Sequence, residues 1–99
     1  MREVYVSEKV RRKINDLRTY LVIDLRLSEE AANKRIERMR KFIISFSNPV
    51  DYPLCRFKQW RELGYRCAVF EKKWVLAYES YYDGIMLHDI SHTALLVEV

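Results

Sequence analysis

The last third of the chain restricts the fold most, because it reads as three successive strands joined by short turns. Apolar runs at 67–70 and 74–78 flank a polar turn at 71–73, and a third apolar run follows the pair Asp83-Gly84. Asp-Gly is a strong hairpin signal, since glycine tolerates the positive φ that tight turns require. The pattern therefore predicts an antiparallel meander.

Two amphipathic helices are predicted ahead of the meander. Apolar residues recur at three- and four-residue steps across 8–25 and again across 29–46, which is the period of a helix with one buried face. Ser7 and Ser28 are N-cap candidates, and each is followed by glutamate, which the helix dipole favours in the first turn. Few residues separate the two segments, so the helices must form an antiparallel hairpin. The residues expected to be buried between the helices and the sheet are Ile14, Leu17, Leu21, Ile36, Met39 and Ile43.

An alternating run at 3–6 predicts an opening strand, which completes the order β-α-α-β-β-β. The chain has 99 residues, a length typical of one domain, so residues 1–99 are treated as a single unit. These elements predict an α+β fold in which the helical hairpin packs on one face of a small antiparallel sheet.

Residues 47–64 give no clear period. Phe57, Trp60 and Leu63 fit the spacing of a short helix, whereas the residues at 56–58 fit an alternating strand face. Both alternatives stay open for this segment, and extended structure is favoured.

The charge balance favours an anionic partner. Lysine and arginine number 18 against 14 acidic residues, which gives a net charge of +4 and a pI near 9.2. A nucleic acid or an acidic protein would suit this charge. The N-terminus does not resemble a signal peptide, and no apolar stretch approaches the roughly 18 residues of a membrane span. A cytoplasmic protein without membrane contact is expected.

The two cysteines, Cys55 and Cys67, form neither a CxxC pair nor a zinc-binding spacing. In a cytoplasmic chain such a pair is most often reduced. Two free thiols are therefore expected, with Cys67 in the core.

A group of basic and aromatic residues around position 60 has the composition of a single-strand RNA surface. Guanidinium groups hold phosphates through paired hydrogen bonds, and aromatic faces stack on bases. The alternative is a solvated basic loop with its tryptophan in the core. The residues predicted to bind RNA are Arg56, Lys58, Trp60, Arg61 and Tyr65, and Arg66 starts the next strand.

Two histidines and one glutamate are candidates for proton transfer. His88 and His92 have a spacing that would suit zinc on a helix, but four residues of a strand span about 13 Å, too far for one metal ion. Neither a metal nor another cofactor is predicted. A histidine near a strand end can act as general acid or base, and His92 is favoured over His88. Glu79 could serve as a base, or it could be an ordinary outward-facing carboxylate.

The whole pattern resembles the RelE/ParE superfamily, the toxins of type II toxin–antitoxin systems, which include plasmid stabilisation proteins. The resemblance covers nearly the full chain. It rests on the order and length of three segments, VSEKVRRKINDLRTYL at 6–21, LGYRCAVF at 63–70 and WVLAYESYYDGIMLHDISH at 74–92. It implies a RelE-like fold and an antitoxin protein as partner.

Members of this superfamily either cleave mRNA, usually on the ribosome, or poison DNA gyrase without cleaving RNA. By resemblance, Arg66 matches the arginine that contacts phosphate, and His92 lies nearest to the acid–base residue at the end of the last strand. Many nucleases of the family also carry a cation just after that strand, where this chain has residues 93–96 without one. The favoured function is a metal-independent endoribonuclease with Arg66, His92 and Glu79 as catalytic residues. The alternatives are a gyrase-binding toxin and an inactive relative that only binds its antitoxin.

Overall fold

The computed structural model describes residues 2–93 and Leu96, and it has an α+β architecture as predicted. The elements in chain order are β1 (Glu3–Val6), α1 (Glu8–Ile23), α2 (Glu29–Ile44), α3 (Lys58–Arg61), β2 (Arg66–Phe70), β3 (Trp74–Ser80) and β4 (Gly84–His92). A short 3₁₀ turn at Ser45–Ser47 follows α2.

The strands form one sheet in the order β1-β4-β3-β2. The meander of β2, β3 and β4 is antiparallel, as predicted, but β1 pairs with β4 in parallel. The expectation of a fully antiparallel sheet is therefore wrong, and the sheet is mixed. Parallel neighbours need a long connection, and the helices and strands between β1 and β4 supply it.

Both long helices begin where the sequence indicates. The Ser7 hydroxyl oxygen accepts a hydrogen bond from the Val10 amide at 3.2 Å, and the Ser28 hydroxyl accepts one from Ala31 at 3.1 Å. Each helix ends two residues earlier than predicted, so Leu25 lies beyond α1 and is exposed. No helix within the described residues is long and apolar enough to cross a membrane.

The main core lies between the helical hairpin and one face of the sheet. All the helix residues predicted for it are buried except Leu17, which is partly buried at its margin. The sheet residues buried in it are Ala68, Leu76, Tyr78, Ile85, Leu87 and Ile90.

A second, smaller core covers the opposite face of the sheet. Its buried members are Cys55, Phe57, Trp60, Val75 and Ala77. The segment that precedes β2 supplies three of these side chains, and the helix α3 places Trp60 among them. The preference for extended structure is therefore wrong at residues 58–61. Leu96 packs on the same cluster.

The two cysteines are joined in a disulfide, which overturns the expectation of free thiols. A β-bridge between Leu54 and Arg66 brings Cys55 and Cys67 side by side, with their Cα atoms 4.8 Å apart. That separation lies within the range that a disulfide permits. Cys55 is fully buried as well, whereas Cys67, expected in the core, is only partly buried.

The Asp83-Gly84 pair predicts a glycine with a positive φ, but Gly84 does not have one. Glycine is needed at this position because the backbone of β1 comes too close for a side chain. A Cβ atom at this position would lie 2.6 Å from the Glu3 carbonyl oxygen. The left-handed residues of the meander are instead Glu71 and Lys72, at φ 50° and 63°. They form the tight turn between β2 and β3, and this geometry matches the twist of a hairpin.

The main core yields a direct test, because α2 carries two isoleucines in opposite environments. Ile36 is 5% exposed and Ile44 is 65% exposed. Ile36→Ala leaves a cavity and should lower the free energy of unfolding by about 2–5 kcal/mol. Ile44→Ala, the matched control, should change it by less than about 0.5 kcal/mol. Urea denaturation followed by circular dichroism measures both, and equal effects would contradict the assignment of the buried face.

Candidate active site

A hydrogen-bonded pair, His88 and Glu79, lies on adjacent strands of the sheet. The Nε2 atom of His88 is 3.1 Å from the Oε1 atom of Glu79. A β-bulge makes this possible, since Ala77 pairs with Asp89 and the next residue of β3 pairs with Leu87. His88 is thus the extra residue of β4, and the bulge redirects its side chain. Both side chains remain partly accessible, at 26% for His88 and 40% for Glu79.

Tyr81 reinforces the pair from the hairpin that connects β3 to β4. Its hydroxyl donates a hydrogen bond of 2.6 Å to the same Glu79 oxygen. The hydrogen bond from Tyr81, followed by that from His88, lowers the pKa of Glu79 below its usual range. The same bond raises the pKa of the Tyr81 hydroxyl. The glutamate is therefore held as a carboxylate at neutral pH, and it can orient the imidazole ring.

Tyr65 covers one face of the His88 ring. The two rings stack with centroids 4.6 Å apart and planes tilted by only 6°. Gly64, at φ +76°, turns the chain from α3 toward β2, and this turn places the Tyr65 ring against the His88 ring. The tyrosine amide also donates a 3.1 Å hydrogen bond to the Trp60 carbonyl. The stack restrains the rotation of the imidazole, which fixes the direction of its ring nitrogens.

A depression of about 490 Å³ opens beside this pair. It is lined by Lys9, Gln59, Trp60, Leu63, Tyr65, His88 and Asp89. Lys9 supplies a cation to the depression, and its Nζ atom lies 3.0 Å from an oxygen of Asp89. The imidazole of His88, the ring of Tyr65, the ammonium group of Lys9 and the carboxylate of Asp89 thus border one open space, and Glu79 supports His88 from outside it. These groups suit acid–base chemistry on a phosphodiester.

Arg66 does not face the His88–Glu79 pair. It pairs directly with Tyr78, whose side chain lies in the main core, whereas Glu79 is the next residue of β3 and points to the opposite face. Its guanidinium donates a 2.8 Å hydrogen bond to the Tyr52 carbonyl and lies 4.0 Å from an oxygen of Asp51. The arginine therefore holds the segment before α3 in place.

Asp51 lies close to two arginines, Arg2 and Arg66, at this end of the sheet. Burial acts to raise its pKa, but the hydrogen bond and charge of Arg2 and the charge of Arg66 outweigh burial, so the pKa is lowered. The distance between Arg2 Nη1 and Asp51 Oδ1 is 2.7 Å. Arg66 therefore belongs to an ion-pair group that joins the N-terminus, the residue 51 region and β2.

His92 lies at the other end of the meander. It pairs with Trp74, and the two rings meet edge to face at 5.3 Å. Arg66 pairs with Tyr78, four residues further along β3, which corresponds to about 13 Å along the strand. General acid–base groups must lie within about 3 Å of the proton they transfer. Arg66, His92 and Glu79, predicted to act together, are thus in three separate surroundings.

The residues predicted to bind RNA divide into exposed and buried ones. Arg56, Lys58 and Arg61 are exposed on the segment before β2. Trp60 is only 4% exposed and packs against Phe57, so its faces are not open to a base. Tyr65 is partly buried and is already stacked on a histidine.

The sequence favoured His92 over His88 and did not single out Tyr81. A hairpin at Asp83-Gly84 does indicate that Glu79 lies near Met86, with His88 as a diagonal neighbour about 7–8 Å away. The bulge that closes this distance has no signal in the sequence, and the contact could not be predicted.

No protein-family model matches this chain, and no curated protein matches it. The membership in the RelE/ParE superfamily accordingly stays a prediction from the sequence.

Asp89 anchors the wall of the depression to α1. Its two carboxylate oxygens accept hydrogen bonds from Lys13 at 2.7 Å and Lys9 at 3.0 Å. Burial acts to raise the pKa of Asp89, but these bonds and one from the Ile90 amide lower it overall. A carboxyl group whose pKa is lowered by folding stabilises the native state only while it is ionised.

The stability that Asp89 confers should therefore be lost in acid. At pH values above the ordinary aspartate pKa of about 3.9, the free energy of unfolding of the wild type should be higher than that of Asp89→Asn by about 1–2 kcal/mol. This difference should vanish as the pH falls through the lowered pKa of Asp89 in the native state. Urea denaturation between about pH 6 and pH 2.5 measures the difference. Asp16→Asn, on the exposed side of α1, is the control and should show little pH-dependent change. If the free energy of unfolding of Asp89→Asn differed from that of the wild type by the same amount at every pH in this range, ionised Asp89 would not be the source of the stability.

Proposed function

We propose that this chain is a RelE/ParE-like toxin that cleaves mRNA without a metal ion. The observation that carries the proposal is the His88–Glu79 pair, held by Tyr65 and Tyr81 beside a depression that contains Lys9. Translated mRNA on the ribosome is the proposed substrate, so the proposed place of action is the cytoplasm.

The pair is suited to activate the 2′-hydroxyl group of RNA. In the tautomer that donates from Nε2 to Glu79, the Nδ1 atom of His88 is an acceptor. It takes the proton of the 2′-hydroxyl while the 2′ oxygen attacks the adjacent phosphorus. The bond from phosphorus to the 5′ oxygen breaks, the 5′ oxygen takes a proton from water, and a 2′,3′-cyclic phosphate remains. The ionised Glu79 stabilises the imidazolium that forms, in the way a carboxylate supports a catalytic histidine.

Lys9 is the cation placed to stabilise the charge that develops on the phosphate. Arg56, Lys58 and Arg61 are proposed to guide the RNA backbone to the depression. Arg66 acts indirectly in this arrangement, because its bond to the Tyr52 carbonyl fixes the segment that carries α3 and Tyr65.

Expression of the chain alone should arrest growth, and His88→Gln should relieve the arrest. Glutamine keeps hydrogen bonding but cannot accept a proton, so cleavage should fall by about 10²–10⁴-fold. The matched control is His92→Gln, which should retain near wild-type cleavage because His92 lies in a different environment. Mapping of RNA 5′ ends from arrested cells measures cleavage. Loss of cleavage in His92→Gln with full cleavage in His88→Gln would reject this site.

A gyrase-directed toxin is the second candidate. It is favoured by the position of Arg66, since the arginine that the resemblance assigns to phosphate donates to the Tyr52 carbonyl and lies on the face of the sheet away from Glu79. Intact mRNA together with trapped gyrase–DNA complexes in arrested cells would establish this alternative. His88→Gln would then leave the arrest unchanged.

An antitoxin is the proposed protein partner, and a large cleft is its proposed binding surface. The cleft has a volume of about 760 Å³ and lies between the helical hairpin and the sheet end that carries His92. Its lining combines apolar side chains with four basic residues, Lys13, Arg35, Arg38 and Lys73, and two carboxylates, Asp16 and Glu71. Arg38 is paired with Glu71 at 2.8 Å and Lys13 with Asp89 at 2.7 Å, so the excess positive charge comes from Arg35 and Lys73. An amphipathic segment with acidic residues placed near Arg35 and Lys73 would complement this lining.

The sequence also predicts two other surfaces for an antitoxin, the apolar tail from Leu95 to Val99 and an exposed edge of the sheet, because apolar tails and unpaired edges invite a partner segment. Leu96 instead packs on the second core, and Leu95 and Val97 to Val99 lie outside the described residues. The β2 edge is partly covered, because the Cys67 amide donates to the Pro53 carbonyl at 3.2 Å. The cleft is therefore the better surface for an acidic partner.

Charge reversal in the lining of the cleft should weaken the antitoxin complex. Arg35→Glu places a like charge against an acidic segment and should lower affinity by at least about tenfold. Arg40→Glu is the matched control, since Arg40 is exposed on the same helix but does not line the cleft. Isothermal titration with the product of the neighbouring reading frame measures both variants. Equal affinities would show that the partner binds elsewhere.

A further inference from the structure

The Cys55–Cys67 disulfide is the covalent link between β2 and the segment that carries α3. The bridged residues are separated by 12 positions. Two backbone hydrogen bonds accompany the link, from the Cys55 amide to the Tyr65 carbonyl at 2.9 Å and from the Cys67 amide to the Pro53 carbonyl at 3.2 Å. The disulfide therefore closes the loop that contains α3 and Tyr65.

Non-covalent anchoring of this loop is limited. Phe57 and Trp60 are its large buried side chains, whereas Leu54 and Leu63 are 50% and 58% exposed. The helix α3 has four residues, and a helix of that length is not stable on its own. Apart from the two backbone hydrogen bonds and the bond from Arg66 to the Tyr52 carbonyl, the loop is held by one small cluster, and the disulfide lies inside that cluster.

We propose that this disulfide is a thiol–disulfide exchange site, and that a low-molecular-weight thiol reduces it and releases residues 53–65 from the sheet. Cys67 is partly exposed while Cys55 is fully buried. The reductant thiolate therefore attacks the Cys67 sulfur, and the Cys55 sulfur leaves and takes a proton. A second thiol then attacks the reductant sulfur of the mixed disulfide and frees Cys67. Two protein thiols and one disulfide of the reductant result, so the electrons balance.

Release of the loop changes the surroundings of His88. Tyr65 lies inside the closed loop, two residues before Cys67, and its ring centroid lies 4.6 Å from that of His88. An open loop removes this stack and one wall of the neighbouring depression. The effect on catalysis rests on the proposed function, whereas the opening itself does not.

Hydrogen exchange followed by mass spectrometry tests the opening in the full chain. After reduction with dithiothreitol, amides of residues 55–65 should exchange about 10²-fold faster, which is the effect expected from removing a crosslink of this loop length. Amides in α1 and α2 should exchange as before, and oxidised glutathione should restore protection. A Cys55→Ala/Cys67→Ala variant should not respond to the reductant. Equal acceleration throughout the chain, unchanged exchange, or a disulfide that resists dithiothreitol in the native protein would overturn the proposal.

Proton NMR of the two histidines gives a second measurement that does not depend on any variant folding. Reduction should move the ring resonances of His88, because the stacked Tyr65 ring is removed, and should leave those of His92 in place. An unmoved His88 resonance in the reduced protein would contradict the release of Tyr65. An RNA cleavage assay on the oxidised and the reduced protein distinguishes the proposed nuclease function from the proposed exchange site. If the loop opens and neither form cleaves RNA, the nuclease function fails and the exchange site stands.

Discussion

Pairing along β4 is the constraint on which the rest of the structure depends. This strand pairs with β1, from the start of the chain, on one edge and with β3 on the other. Its residues Ile85, Leu87 and Ile90 are buried in the main core under the helices. The close contact between Gly84 and the Glu3 carbonyl sets how near β1 can approach. Because β1 leads directly into α1, this contact also fixes where the first helix begins.

The bulge at His88 joins this architecture to the candidate site. A bulge leaves one residue outside the regular ladder, and its backbone groups need other partners. Here the Ser7 hydroxyl donates a 3.2 Å hydrogen bond to the His88 carbonyl, while the same oxygen accepts the Val10 amide. The residue that starts α1 therefore also stabilises the irregular point of β4. The position of the histidine is tied to the folding of the helix and is not a property of the strand alone.

Much of the fold could be predicted from the sequence because its signals are local. The serine caps and the apolar stripes specify α1 and α2 within the chain itself, and the meander follows from alternating apolar residues and turns. The parallel pairing of β1 could not be predicted, since it depends on a contact between residues about 80 positions apart. The disulfide was missed for a related reason: the bridge between Leu54 and Arg66 that brings the sulfurs together leaves no periodic signal. At the site, Glu79 was predicted as a base and Tyr65 as an RNA-binding residue, but their contacts with His88 depend on the bulge and were not predicted.

The two faces of the sheet differ in how many buried side chains cover them. One face is covered by two helices of 16 residues each, whose many buried side chains make local opening costly. The other face is covered by a loop with a four-residue helix and a few buried side chains, which is the kind of region that opens at low free energy. The His88–Glu79 pair lies at the border of this second face, where Tyr65 contacts His88 from the loop. The core of the protein can therefore remain folded while the surroundings of His88 change, so the geometry at His88 and the global stability of this chain are separable properties.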